Sequence, residues 1–211
     1  MISRWAAAGS AIAGTLGAAG LAVAVAGSAP WRYVSESGAP GAPHAPLYQA
    51  SMLLLAASLA LLAVPARRTC ALIGGSLGLA APLAVVAGVV HCSPGCPLPP
   101  YETPAVRDLI HAAGAIGALL LCALAILLYS VLPTAHRLRR AGRVGMLVAY
   151  PPLILSAAGI LFAGRSLFTG VTERIALIAV SAWVVLTAAL HLRIRVSSKS
   201  CRNRSEAEVT A

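Results

Sequence analysis

Residues 106–132 read VRDLIHAAGAIGALLLCALAILLYSVL. Between Ala112 and Leu132 there is no Asp, Glu, Lys or Arg. At 1.5 Å of rise per residue, such a stretch crosses the roughly 30 Å of hydrocarbon in a bilayer. Thr103-Pro104 before it reads as an N-cap followed by a first-turn proline, and Pro133 after it as a stop. This segment is a membrane-spanning helix, and the rest of the chain repeats its character.

Five further apolar runs occupy residues 5–29, 47–64, 69–90, 144–162 and 175–192. The second ends at Pro65 and Arg67-Arg68, where a helix is expected to stop and meet the headgroups. The chain has 211 residues, of which 59% are hydrophobic and 10% charged, against about 25% charged in soluble domains. No water-soluble globule of this size hides so much apolar surface. The expected fold class is therefore all-α, a polytopic bundle of six spans. It forms one membrane domain over residues 1–196, followed by a disordered cytoplasmic tail, 197–211.

Orientation follows from the basic residues, which are retained on the cytoplasmic side. Of the 16 Lys and Arg, one set of flanks holds Arg4, Arg67, Arg68, Arg137, Arg139, Arg140, Arg143, Arg193, Arg195, Lys199, Arg202 and Arg204. The other set holds only Arg32, Arg107, Arg165 and Arg174. Both termini are then inside, and the connections 30–46 and 91–105 face outward. The net charge of +10 is thus topogenic, and no nucleic-acid partner is expected. A signal peptide is the alternative for the first run, because Arg4, an apolar stretch and Gly27-Ser28-Ala29 share its features. A signal core is usually shorter, which favours an uncleaved helix.

Helices in lipid associate through close packing of small residues. Gly74 and Gly78 form a G-x-x-x-G pair, Gly14, Gly17 and Gly20 line the first run, and Gly114 with Ala118 makes a notch in the fourth. Gly74 and Gly78 serve either contacts within the bundle or a homo-oligomer interface. Pro82 and Pro151-Pro152 are expected to kink their helices.

Polar residues concentrate toward the outer side: Ser35, Glu36, His44, His91, Cys92, Cys96, Glu102, Asp108, His111 and Glu173. Asp108 and His111, three apart, share a helix face. With Ser35, Glu36 and His91 they form the candidate site, either a structural polar cluster or a pocket for a ligand. No H-x-x-x-H or C-x-x-C pair is present, so no metal or other cofactor is expected. Cys92-Ser93-Pro94-Gly95-Cys96 reads first as a disulfide across a Pro-Gly turn in an oxidising compartment, with a redox or metal pair as the alternative. Cys70 and Cys122 lie in apolar runs and read as core; Cys201 falls in the tail.

Tyr33-Val34-Ser35-Glu36-Ser37-Gly38-Ala39 resembles the Y-I-S-E-L-G-A signature of a group of bacterial multi-pass proteins, the domain-of-unknown-function 998 family. His91 to Pro97, and then Asp108-Leu109-Ile110-His111, resemble that family's outer loop and its D-x-x-H entry into the next helix. Ser37 stands where leucine is usual, and Cys92-Ser93-Pro94-Gly95-Cys96 replaces a phenylalanine, proline and acidic run. The resemblance implies six membrane helices with no assigned activity, and it singles out Ser35, Glu36, Asp108 and His111.

The functional expectation is a non-enzymatic protein of the bacterial inner membrane, in contact with membrane lipids, whose outer cluster is structural or binds a lipid or small ligand. The first alternative is a membrane-embedded hydrolase using Glu36, His91, Asp108 and His111 around a metal or an activated water. The second is a small-molecule transporter.

Overall fold

The computed structural model describes residues 1–193. Residues 194–211, with Arg195, Lys199, Cys201, Arg202, Arg204 and the whole expected tail, lie outside the described residues. Six helices form: α1 (Ile2–Ala26), α2 (Ala45–Thr69), α3 (Ala71–Val89), α4 (Val106–Val131), α5 (His136–Phe162) and α6 (Leu167–Arg193), with a 3-10 helix at Val34–Gly38. All six are long and apolar enough to cross a membrane, and no strand occurs among the described residues. The fold is that of a multi-pass membrane protein.

Each helix packs on its neighbour in sequence, and α6 returns to α1, closing a ring; α6 also touches α2 and α4 across the interior. The outside of the ring is oily. Trp5, Leu72, Leu120, Leu147 and Phe162 are exposed, Leu147 at 78%, a surface that lipid covers and water does not. One end of the bundle carries the three connections 27–44, 90–105 and 163–166; we call it the loop end. The other end carries the first residues of α1, the corner at Cys70 and the arginine-rich start of α5.

Small residues set the spacing. Ser10 and Ser58, fully buried between α1 and α2, each donate to the other's backbone carbonyl, at 2.8 and 2.9 Å. Gly17 admits the backbone of α2, since a Cβ there would stand 3.0 Å from Leu55 N and Ser51 O. Gly74 lies against Arg67, and Gly78 faces Ala63. The G-x-x-x-G pair thus meets α2 of the same chain.

Several helix ends differ from those expected. Helix α2 runs through Pro65 to Thr69, so Arg67 and Arg68 belong to its last turn, and the break falls at Cys70, whose backbone is extended. Proline there costs one hydrogen bond near a helix end, too little to stop it. Helix α4 starts after Ala105, and Thr103-Pro104 precede it. Helix α5 begins eight residues before its apolar run, taking in Arg137, Arg139, Arg140 and Arg143, and α6 begins eight before its own, taking in Glu173 and Arg174. Arginine and glutamate are good helix formers, and hydropathy marks the hydrocarbon zone, not the helix end.

Candidate functional site

At the loop end, two carboxylates close turns before they reach anything else. Asp108, in the first turn of α4, accepts the backbone N–H of Ala105 at 2.8 Å, satisfying one of the helix's unpaired donors. It also accepts from Ser93, through the backbone N–H at 2.6 Å and the hydroxyl at 3.1 Å. Arg107 donates to the same hydroxyl. Asp108 is 2% exposed, and its bonds fasten the loop 90–105 to α4. Glu36 does the equivalent in the 3-10 helix, accepting Tyr33 N–H at 3.1 Å.

Arginine ties the loops together. Arg165 lies 3.6 Å from Glu36 and 3.0 Å from Glu102, and donates to Gly95 O at 2.6 Å, linking all three connections. Arg32 adds a second, longer pairing to Glu36 at 3.8 Å. Arg174, on the first turns of α6, donates to Ser28 Oγ and to the carbonyls of Ala29, Pro30, Arg32 and Gly170, holding the end of α1 against α6. Tyr33 is buried among these groups. Burial first, and then the nearby charges of Glu102 and Glu173, push its phenol up to about 12.

Cys92 and Cys96 lie within bonding distance of each other, their Cα atoms 5.1 Å apart, on either side of the turn at Pro94-Gly95. Both are buried against Tyr33 and Ala39. The Cys92 sulfur also sits 3.7 Å from Ser35 O, which brings the first connection onto the second.

Below this network the interior of the ring opens into a slot of about 100 Å³ between α2, α3, α4 and α6. Its walls are ladders at helical spacing: Tyr48, Met52, Leu55 and Leu59 on α2; His111, Ala115, Ala118 and Cys122 on α4; Glu173, Leu177, Ser181 and Val184 on α6. Ala84 contributes from α3, and Val34 and Ser35 of the 3-10 helix roof it. Of its polar members, His111, Glu173, Tyr48 and Ser35 stand at the loop end, and the lower walls are apolar but for Ser181. Such a volume holds a few waters or a short alkyl chain.

His111 and Glu173 have incomplete sets of partners. His111 is 5% exposed. Its Nδ1 lies 2.8 Å from Val90 O, while its Nε2 is buried with no hydrogen-bond partner. Glu173 accepts the backbone N–H of Val34 at 2.9 Å through Oε2, which fixes the roof to α6. No Lys, Arg or His forms an ion pair with it among the described residues.

The five candidate residues therefore divide. Asp108 and Glu36 are turn clamps facing Ser93 and Arg165. Ser35, His91 and His111 border one crevice where the 3-10 helix meets α2, α3 and α4, too narrow for water. Ser35 and His111 reach on into the slot, whereas His91 also lines an open surface groove with Arg107 and Gln49. No group of three or more His, Cys, Asp or Glu is placed to hold a metal among the described residues. Glu173 and Tyr48 were not singled out by the sequence reading as site residues. The available signal was Glu173, Leu177, Ser181 and Val184, a spacing that carries the inner face of α6 past the point where hydropathy falls.

A model of the family described as "Protein of unknown function (DUF998)" matches residues 11–190. No curated protein and no solved structure matches the chain.

Proposed function

The chain belongs to the DUF998 family, and on that premise we propose that it is a non-enzymatic receptor for a small amphipathic molecule. The molecule's chain enters the slot between α2, α3, α4 and α6, and its head meets His111 and Glu173. The supporting observation is that His111 lines the slot and that its buried Nε2 has no hydrogen-bond partner. An unsatisfied buried polar atom costs about 1–3 kcal/mol, a cost that a bound head group recovers. The mixture of apolar walls with a few convergent polar groups is the usual make-up of a ligand pocket. On the charge asymmetry of the flanks, the loop end faces outward from a bacterial inner membrane, so the ligand arrives from the outer leaflet or the outer aqueous phase.

A side chain that fills the slot tests this reading. Ala118 is buried on the slot wall, and Ala118→Leu places an isobutyl group in the path of the ligand chain. In lipid nanodiscs, tritiated hexan-1-ol is expected to bind the parent protein saturably above empty discs. The Ala118→Leu protein is expected to keep its thermal stability and lose that binding. Equal binding by both proteins, or no saturable binding by the parent, contradicts the proposal.

A further inference from the structure

The hydrogen-bonding character of the slot's polar end restricts the head group, and this step rests on the receptor reading above. Val90 O can only accept, so the Nδ1 2.8 Å from it carries the ring's proton. In the neutral imidazole, Nε2 is then a bare lone pair that calls for a donor. Glu173, when ionised, is a second acceptor: one oxygen takes Val34 N–H, and no Lys, Arg or His forms an ion pair with it among the described residues. Arg174, next in sequence, spends its guanidinium on backbone carbonyls and Ser28. No Lys or Arg lines the slot.

Two acceptors, one of them a carboxyl that no Lys, Arg or His pairs among the described residues, line a mainly apolar chamber beside the hydroxyl-bearing Ser35 and Tyr48. From this we infer that the slot is selective for a primary ammonium on a short alkyl chain. An ammonium has three N–H donors and no acceptor. One N–H reaches Nε2 of His111, another reaches Glu173, and the positive charge offsets the carboxylate in a region where an unpaired charge is expensive. A hydroxyl supplies one donor and no charge. A carboxylate or phosphate supplies acceptors and negative charge, and is repelled.

Hexylamine, hexan-1-ol and hexanoate share one chain and differ in the head, so their binding to the nanodisc-embedded protein at neutral pH isolates the selectivity. The expected order is amine, then alcohol, with no saturable binding of hexanoate. Glu173→Gln keeps the size of the side chain and removes the charge. It is expected to weaken hexylamine about tenfold, which corresponds to the loss of one charge-assisted contact, and to leave hexan-1-ol within about twofold. Saturable hexanoate binding as tight as that of the amine, or an unchanged hexylamine affinity in Glu173→Gln, overturns the inference and leaves the receptor reading standing. Absence of saturable binding by all three compounds overturns both.

Discussion

Asp108 accepts three hydrogen bonds, from Ala105 N–H and from both Ser93 donors, while almost wholly buried. Asp108→Ala leaves two backbone donors unmatched, at about 1–3 kcal/mol each. Denaturation in detergent is expected to show a loss of about 2–4 kcal/mol, and an unchanged melting temperature contradicts the clamp. Tyr33 contributes a pH dependence in alkali at this end. Its phenol titrates near 12 in the folded protein, against an ordinary value of 10.0. Because the folded state holds this proton more tightly, the contribution is fully present below pH 10 and is lost as pH rises through about 12. Two units correspond to about 3 kcal/mol at most. Tyr33→Phe is therefore expected to lose less stability than the parent between pH 10 and 12, as read from melting curves; parallel curves contradict the assignment.

Between helices, the closest approaches are made by glycine, and neighbouring glycines differ in what they admit. A Cβ at Gly114 would stand 2.9 Å from Leu83 O and 3.2 Å from Ala87 N, both backbone atoms of α3, whereas one at Gly75 meets nothing within 4 Å. Gly114→Ala is expected to force α3 and α4 apart and destabilise by about 1–3 kcal/mol. Gly75→Ala is expected to be neutral or stabilising by up to about 1 kcal/mol. A thermal-shift comparison of the two proteins checks the pair, and equal shifts contradict the packing described. The elements also show what the sequence could reveal. The six spans were legible because hydrocarbon demands long apolar runs. Their ends were not, because Arg137 to Arg143 and Glu173 continue helices into water or into the bundle, where hydropathy falls but helix propensity does not. Asp108 and His111 were legible as a pair on one helix face. Their separate destinations, a turn for one and the slot for the other, depend on the loop 90–105, whose path is set by contacts distant in sequence.

The whole molecule is a ring of six helices, with a slot of about 100 Å³ between four of them and a tightly laced loop end. Tag or protease reporters placed at the α4–α5 turn and in the loop 91–105 are expected to fall on opposite sides of the membrane, the arginine-rich turn inside. The reverse placement contradicts the orientation and the route proposed for the ligand. The receptor reading itself stands on one atom, Nε2 of His111. The most direct measurement is the ¹⁵N spectrum of histidine-labelled protein in bilayers, with His111 assigned by its absence in His111→Asn. We predict a ring protonated at Nδ1 whose Nε2 resonance shifts on saturation with hexylamine. A ring already protonated at Nε2, with a resonance indifferent to the amine, contradicts the account.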